Sequence, residues 1–240
     1  MRIALIGYGK MGHMIEEIAQ SRGHEVALKI NIENIEDFNE QNMNSIDVAI
    51  EFTTPHTAYD NVKKCIDFGV AVVSGSTGWN EKLIAIKEYC LQKNGSFLHS
   101  SNFSIGVNIF FEINTLLAKL MATQPAYSAS IKEVHHTQKL DAPSGTAVSL
   151  AQQILDNNSR FEKWVNSEPV NKKELPIISE RLDPAPGTHY VKYSSEVDDI
   201  EIIHTANSRK GFALGAVLAA EFIWNKKGIF TMKDILKLSL

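Results

Sequence analysis

Apolar residues recur along the first hundred positions in two alternating rhythms. Short β-branched-rich runs at 3–6, 26–30, 48–52, 70–73 and 97–98 predict strands. Between the first two, Met11, Met14, Ile15, Ile18 and Ala19 recur at helical spacing, and Gly23 stands where the helix would end. A second helix is predicted over 58–68, closed by Gly69. Strands that alternate with helices of this length imply a parallel sheet covered on both faces.

After Asn102 and Phe103 the rhythm changes. A long helix carries Ile109, Ile113, Leu116, Leu117 and Leu120 on one side, and a strand is predicted over 128–134. A further helix buries Ala147, Leu150, Ala151, Ile154 and Leu155. The polar stretch 156–173 predicts surface loop, and strands at 190–193 and 200–205 close the segment. Elements that no longer alternate point to an α+β unit. From Arg209 the residues become small and apolar, and Ala213, Gly215, Ala216, Ala219 and Ala220 suit a helix that returns to the first domain. The expected fold class is therefore α/β. A Rossmann-type domain (1–104 with 209–240) with a parallel sheet accompanies a smaller α+β domain (105–208) with a mixed sheet.

Composition narrows the partners. The 240 residues are 44% hydrophobic and carry a net charge of −4, so no basic field exists to hold nucleic acid or an anionic membrane. Residues 211–224, the best apolar stretch near the end, include Glu221 and fall short of the roughly 18–20 residues of a membrane span. The strand-like start at 2–6 is too short for a signal segment. Cys65 and Cys90 lack metal-ligand spacing and read as core thiols of a reducing compartment. The expectation is a cytoplasmic protein with a small-molecule partner and no metal.

Gly7, Tyr8, Gly9, Lys10, Met11 and Gly12 spell G-x-G-x-x-G where the first strand ends and the first helix opens. In that context the glycines permit a tight turn, and free N–H groups at the positive helix end can bind a dinucleotide pyrophosphate. The second strand ends at Asn31, Ile32 and Glu33. A carboxylate there would bind the ribose hydroxyls and repel a 2′-phosphate, so Glu33 and Asn31 leave NADH and NADPH both open. Gly75, Ser76 and Thr77, with Gly78, follow the fourth strand, and Ser100, Ser101, Asn102 and Phe103 follow the fifth. Both loops fall at the carboxyl edge where such sheets hold ligands, although each alone reads as an ordinary turn.

The run from Glu133 to Ala147 concentrates ionisable groups beside a helix start. On an extended strand His135 and His136 face opposite ways, so one could meet a substrate carboxylate while the other delivers a proton. Lys139 could hold developing negative charge. Asp141 or Ser144 could cap the following helix with Pro143 in its first turn, leaving the amides of Ser144, Gly145 and Thr146 toward an anion. Adjacent histidines are more often ordinary polar groups than catalysts. Their combination with a nucleotide loop outweighs that reading.

The pattern E-x-H-H-x-x-K-x-D-A-P-S-G-T-A, from Glu133 to Ala147, resembles the signature of dihydrodipicolinate reductases. The resemblance extends through Gly7 to Gly12, the turn Phe52, Thr53, Thr54, Pro55, the loop Gly75 to Gly78, the run from Ser101 to Asn108, and His204 to Arg209. It implies that His135 is the proton donor and Lys139 its partner, with His136, Gly145 and Thr146 binding a carboxylate of a small heterocyclic dicarboxylate. Cofactor contacts would fall on Gly7 to Gly12, the end of the second strand, Gly75 to Thr77, and Ser100 to Phe103. The implied reaction is NADH- or NADPH-dependent reduction of 4-hydroxy-tetrahydrodipicolinate, in lysine biosynthesis, by a homotetramer assembled through the second sheet. Two departures, a glycine loop one residue shorter than in some members and Asn31 in place of an acid, touch cofactor choice only. The competing readings are a reductase of another small imino or oxo acid, and a non-catalytic NAD(H)-binding redox sensor. Neither gives a reason for the E-x-H-H-x-x-K run.

Overall fold

The structure is a computed structural model that describes residues 1–237; positions 238–240, the end of the expected nucleotide segment, lie outside the described residues. Contacts divide the chain into two compact units, one of Met1–Ile105 with Lys210–Leu240 and one of Gly106–Arg209.

The first unit runs β1 (Arg2–Ile6), α1 (Lys10–Ser21), β2 (Glu25–Ile30), α2 (Glu40–Met43), β3 (Val48–Glu51), α3 (Ala58–Asp67), β4 (Ala71–Ser74), α4 (Leu83–Gln92) and β5 (Ser96–His99). The second holds α5 (Ile105–Met121), β6 (Ser128–His135), α6 (Gly145–Asn157), β7 (Lys163–Val165), β8 (Glu174–Arg181), β9 (Thr188–Ser194) and β10 (Asp199–Thr205). The chain then adds α7 (Lys210–Ile223), β11 (Gly228–Phe230) and α8 (Met232–Leu236) to the first unit.

Six strands form the first sheet in the order β11-β5-β4-β3-β1-β2, every pairing parallel. Successive residues of β1 serve opposite cores: Ile3 and Leu5 join α1 and α7, whereas Ala4 and Ile6 join α3 and α4. Burial on both faces explains why these strands read as unbroken apolar runs. Each fully buried Ile, Leu or Val contributes about 1.5–3 kcal/mol from removal of its surface from water. Cys65 and Cys90 are buried free thiols in one of these cores. The small residues of α7 have a direct reason: a Cβ on Gly215 would lie 1.7 Å from the Phe103 carbonyl oxygen. The three-residue edge strand β11 was outside the expected set; it is too short to carry a period.

The second sheet is mixed, in the order β10-β9-β6-β8-β7. β9 runs antiparallel to β6 and β10, while β6, β8 and β7 are parallel. Two expectations are corrected here. The stretch expected as loop contains β7, and it leads into β8, which was not expected at all. Leu175 and Ile177 of β8 are buried at strand spacing, but Pro176 between them argues against an interior strand from sequence alone. The side of α5 that packs inward is also not the one marked by Ile109, Ile113, Leu116 and Leu120, which are 41–61% exposed. Val107, Phe110, Asn114, Ala118 and Met121 are buried instead. The helix is apolar on nearly every side, so periodicity does not choose. Asn114 helps to choose by donating from Nδ2 to the Leu150 carbonyl of α6, 3.1 Å away. Among the described residues no helix is long and apolar enough to cross a membrane.

Candidate active site

Two polar constellations stand out, one in each unit. In the first, α1 begins at Lys10 with Gly9 as its N-cap, and no side chain caps it. The first amides of the helix therefore have no side-chain acceptor. Gly7 has φ +99°, and a Cβ there would lie 2.0 Å from the Phe52 carbonyl oxygen, so only glycine lets β1 turn this close to the end of β3. A Cβ on Gly9 would meet nothing within 4 Å and would project into open space. A cavity of about 550 Å³ opens beside this turn, lined by Gly7, Tyr8, Gly9, Asn31 and Thr53 among others. These features fit a bound dinucleotide: a concave site, a glycine turn and an uncapped helix start.

Of the two candidates at the end of β2, Asn31 lines this cavity and Glu33 does not. Asn31 Oδ1 accepts the Glu33 amide at 2.8 Å, and the Asn31 amide donates to Asn34 Oδ1 at 2.8 Å. The exposed Glu33 is thereby part of a small turn held by asparagine side chains. The nearby Lys29 ammonium is engaged by Glu16 Oε1 at 2.9 Å, and Glu16 also accepts from the Tyr8 hydroxyl.

The loops after β4 and β5 lie at the same carboxyl edge but do not line that cavity. A buried carboxylate missed in the sequence, Glu51, organises the first of them. It accepts from Ser74 Oγ at 2.5 Å, Ser76 Oγ at 2.7 Å and the Thr53 amide at 3.0 Å. The Ser76 side chain is thus committed to Glu51. Gly75 is required because a Cβ would overlap the Phe52 ring at 2.2 Å, whereas Thr77 is exposed. Ser100 Oγ donates to the Asn102 carbonyl at 2.7 Å, Ser101 is exposed, and Phe103 is buried against Phe52. Phe103 is buried and Met11 half-buried against the same core, and Gly12 is buried beside Gly7 and Tyr8.

The second constellation is built by strand register. β6 pairs Glu133 with Ser179 of β8 and His189 of β9, and pairs His135 with Arg181 of β8. These residues continue the covered face on which Ile131, Ile177 and Val191 form the core. Glu133 has no exposed surface. Its Oε1 accepts the Ser144 amide at 3.1 Å and Arg181 Nη2 at 3.2 Å. Its Oε2 stands 3.2 Å from His135 Nδ1 but off the hydrogen-bond axis, and both atoms are buried without a hydrogen-bond partner. Burial pushes the Glu133 carboxyl up, but the polar side chains of His135, Ser144 and Ser179 outweigh it and hold the group well below the usual carboxylate range.

The other face of the His135 ring is shaped by a residue the sequence reading did not mark. Gly187 has φ +151°, and a Cβ there would lie 2.9 Å from His135 Nε2. His189 stands edge-on to His135 at 5.1 Å between ring centres, with Nε2 3.1 Å from Ser144 Oγ. Burial, reinforced by His135, pulls the His189 imidazole down to about 4. Ser144 is the N-cap of α6 and accepts the Ala147 amide at 3.2 Å. Pro143 consequently precedes the cap instead of lying in the first turn, and Asp141 does not cap. The Asp141 carboxylate holds Lys139 Nζ at 2.7 Å and 2.9 Å. His136 and Thr146 are half-buried, and Gly145 is exposed with open space around its Cα.

The fold thus brings His135 and the start of α6 together, with Lys139 turned to Asp141. Arg181, Gly187 and His189 join them from strands 46 or more positions along the chain from His135. The period-2 burial of β8 is the one sequence signal that would have pointed to Arg181. No local signal marks Gly187 or His189.

Comparison with known proteins agrees along the whole chain. The family described as "Dihydrodipicolinate reductase, N-terminus" matches residues 1–103, and "Dihydrodipicolinate reductase, C-terminus" matches residues 106–236. A 4-hydroxy-tetrahydrodipicolinate reductase from Christiangramia forsetii is 50% identical over 98% of this chain and 98% of its own. One from Thermosipho africanus is 38% identical over 99% of this chain and 98% of its own. Among solved structures, the dipicolinate-bound dihydrodipicolinate reductase from Paenisporosarcina sp. TG-14 is similar in fold, with a TM-score of 0.79, 23% identity and coverage of 96% of this chain and 97% of that one.

The loop edge of the first sheet carries a pH dependence. His99 ends β5, with Nε2 3.1 Å from the Ser76 carbonyl oxygen and its ring edge-on to Trp79. Burial, against the weaker pull of that carbonyl, holds its imidazole below the ordinary value. The unfolded chain therefore binds a proton at His99 more readily than the folded one, and stability present above about pH 6.5 is lost as pH falls below it. The urea midpoint should fall less steeply between pH 7 and pH 5 in His99→Gln than in the wild type. Equal slopes would remove His99 as a contributor.

Proposed function

The chain belongs to the dihydrodipicolinate reductase family, and we propose that its chemistry is delivered by His135 at the start of α6. The protein is a nicotinamide-dependent oxidoreductase of diaminopimelate and lysine biosynthesis that reduces 4-hydroxy-tetrahydrodipicolinate to tetrahydrodipicolinate. When bound, the reduced nicotinamide supplies the hydride, which adds to the ring carbon at the end of the conjugated imine left by loss of water.

The chain's own residues supply binding and the proton. The observation that carries the assignment is the setting of His135, with Nδ1 beside a buried carboxylate and Nε2 beside the one residue type that leaves space there. In this reading His135 holds the proton at Nε2 and delivers it, as a general acid, to the enamine carbon of the reduced ring. The uncapped amides of Gly145 and Thr146, with His136, receive a substrate carboxylate at the positive end of α6. Lys139, held by Asp141, adds the positive charge that balances the dicarboxylate.

We further infer that both cofactors are accepted. Neither a carboxylate nor a lysine or arginine lines the cavity at Asn31, so nothing there repels a 2′-phosphate or clasps it. Asn31 Nδ2 is left to face the ribose. The reading also carries a cytoplasmic homotetramer formed through the second sheet. Its support is that α5 and α6 cover only one face, while the other exposes Ile178 (43%) and Ile203 (53%).

Oxidation of NADH and of NADPH, followed by absorbance with dihydrodipicolinate synthase making the substrate in situ, tests the reading. Turnover that depends on the synthase product is expected with each cofactor. His135→Gln should retain cofactor binding and lose roughly two to four orders of magnitude in turnover; near-normal turnover would remove His135 from the reaction. Asn31→Asp should lower kcat/KM for NADPH by about tenfold or more relative to NADH, since a carboxylate beside a 2′-phosphate costs at least the ~1.4 kcal/mol of a tenfold change. An unchanged ratio would show that the ribose is read elsewhere. Sedimentation at the mass of four chains is expected, and a monomer at assay concentration would overturn the assembly.

A further inference from the structure

Three donor atoms from two neighbouring strands converge beneath the catalytic histidine. Glu133 Oε2 lies 3.2 Å from His135 Nδ1 and 3.8 Å from His189 Nε2, and the three residues present one ligand atom each within 4.8 Å of one another. All three side chains are buried, at 0%, 8% and 5% exposure. We propose that Glu133, His135 and His189 form a site for a divalent transition-metal ion of the zinc type, and that its occupancy silences the enzyme.

The geometry argues for an ion as a shared partner. Glu133 Oε2 and His135 Nδ1 are close, yet neither makes a hydrogen bond, because the carboxylate oxygen stands to one side of the direction in which the ring nitrogen bonds. Two ligands of one tetrahedral zinc, with bonds of about 2.0–2.1 Å, stand about 3.3 Å apart and to the side of one another in this sense. The 3.2 Å pair has that separation, and the 3.8 Å pair reaches it by closing a few tenths of an ångström. Two imidazoles and one carboxylate suit zinc, cobalt or nickel, whereas calcium and magnesium need a shell of oxygens.

The surroundings hold the ligands in place. Arg181 and the Ser144 amide bind Oε1 of Glu133, the oxygen turned away from the histidines, and so aim Oε2 at them. Ser144 Oγ, now beside His189 Nε2, keeps the Ala147 amide when the imidazole turns to the ion. The Arg181 charge opposes a cation, which argues for a site that binds reversibly instead of a resident ion. An ion on Nδ1 takes the place of the second ring proton of His135. The ring then keeps one proton, at Nε2, and cannot form the doubly protonated acid, so proton delivery stops. Metal binding does not depend on the assignment of His135 as proton donor; the loss of turnover does.

Chelator-treated enzyme titrated with Co²⁺, read by its visible absorption, tests the site without turnover, and Zn²⁺ is placed by competition. One ion per chain with the intense band of a four- or five-coordinate site is expected, with no competition from Mg²⁺. His189→Gln and Glu133→Gln, each checked for native circular dichroism, should weaken binding by about 100-fold or more, at least the upper end of the loss from an outer-shell partner alone. No Co²⁺ band in the wild type would overturn the site, as would equal affinity in both folded variants. In the coupled assay, supplied with excess substrate so that the synthase does not limit, Zn²⁺ should inhibit reversibly and His189→Gln should escape. Binding without inhibition would overturn the silencing and leave the site.

Discussion

A carboxylate with no exposed surface sits in the middle strand of the second sheet, and the architecture around it follows from the need to match its charge. Withdrawing an ion from water costs several kcal/mol unless partners replace the lost hydration. Glu133 Oε1 finds them in Arg181 from β8 and the Ser144 amide from the start of α6, while imidazoles from β6 and β9 stand beside Oε2. Each partner fixes a piece of structure. β8 must lie beside β6 in the register that brings Arg181 alongside His135. The loop after β6 must return so that α6 starts over Glu133. Removing Arg181 would strand a buried charge, a change that costs about 3–5 kcal/mol in such settings. His135, the start of α6 and the buried acid are therefore one construction, and none of the three can move alone.

The first unit meets a similar demand with neutral donors. Glu51 at the end of β3 is buried and takes its hydrogen bonds from Ser74, Ser76 and the Thr53 amide. The glycine turn and the start of α1, which no side chain caps, lie at this same edge of the sheet. The close approach of Gly7 to the Phe52 carbonyl, and of Gly75 to the Phe52 ring, sets β1, β3 and β4 at the spacing this edge requires. Asn31, which lines the cavity beside this edge, is engaged with the Glu33 amide.

Much of this was legible along the chain. The five expected strands of the first sheet stand where the β-rich runs placed them, since buried parallel strands must be apolar throughout. The family resemblance carried by the G-x-G-x-x-G turn and the run from Glu133 to Ala147 is borne out over the whole chain. Periodicity failed where it had no contrast to work with. α5 is apolar on most sides, and the choice between its faces rested on how Phe110 and Asn114 fit against α6 and the sheet. β8 was hidden by Pro176 and by a polar approach, although Leu175 and Ile177 alternate correctly.

The sequence by itself determined the class of fold and the family, because both are written in runs of residues that are neighbours or nearly so. Only the tertiary structure decided what surrounds His135. Glu133, Arg181, Gly187 and His189 meet through strand register, a relation between segments separated by some fifty positions that leaves no spacing to read. The placing of Asn31, and not Glu33, on the cavity is of the same kind. Both lie at the end of β2, and which one faces the cavity depends on a turn whose hydrogen bonds form only once the chain is folded.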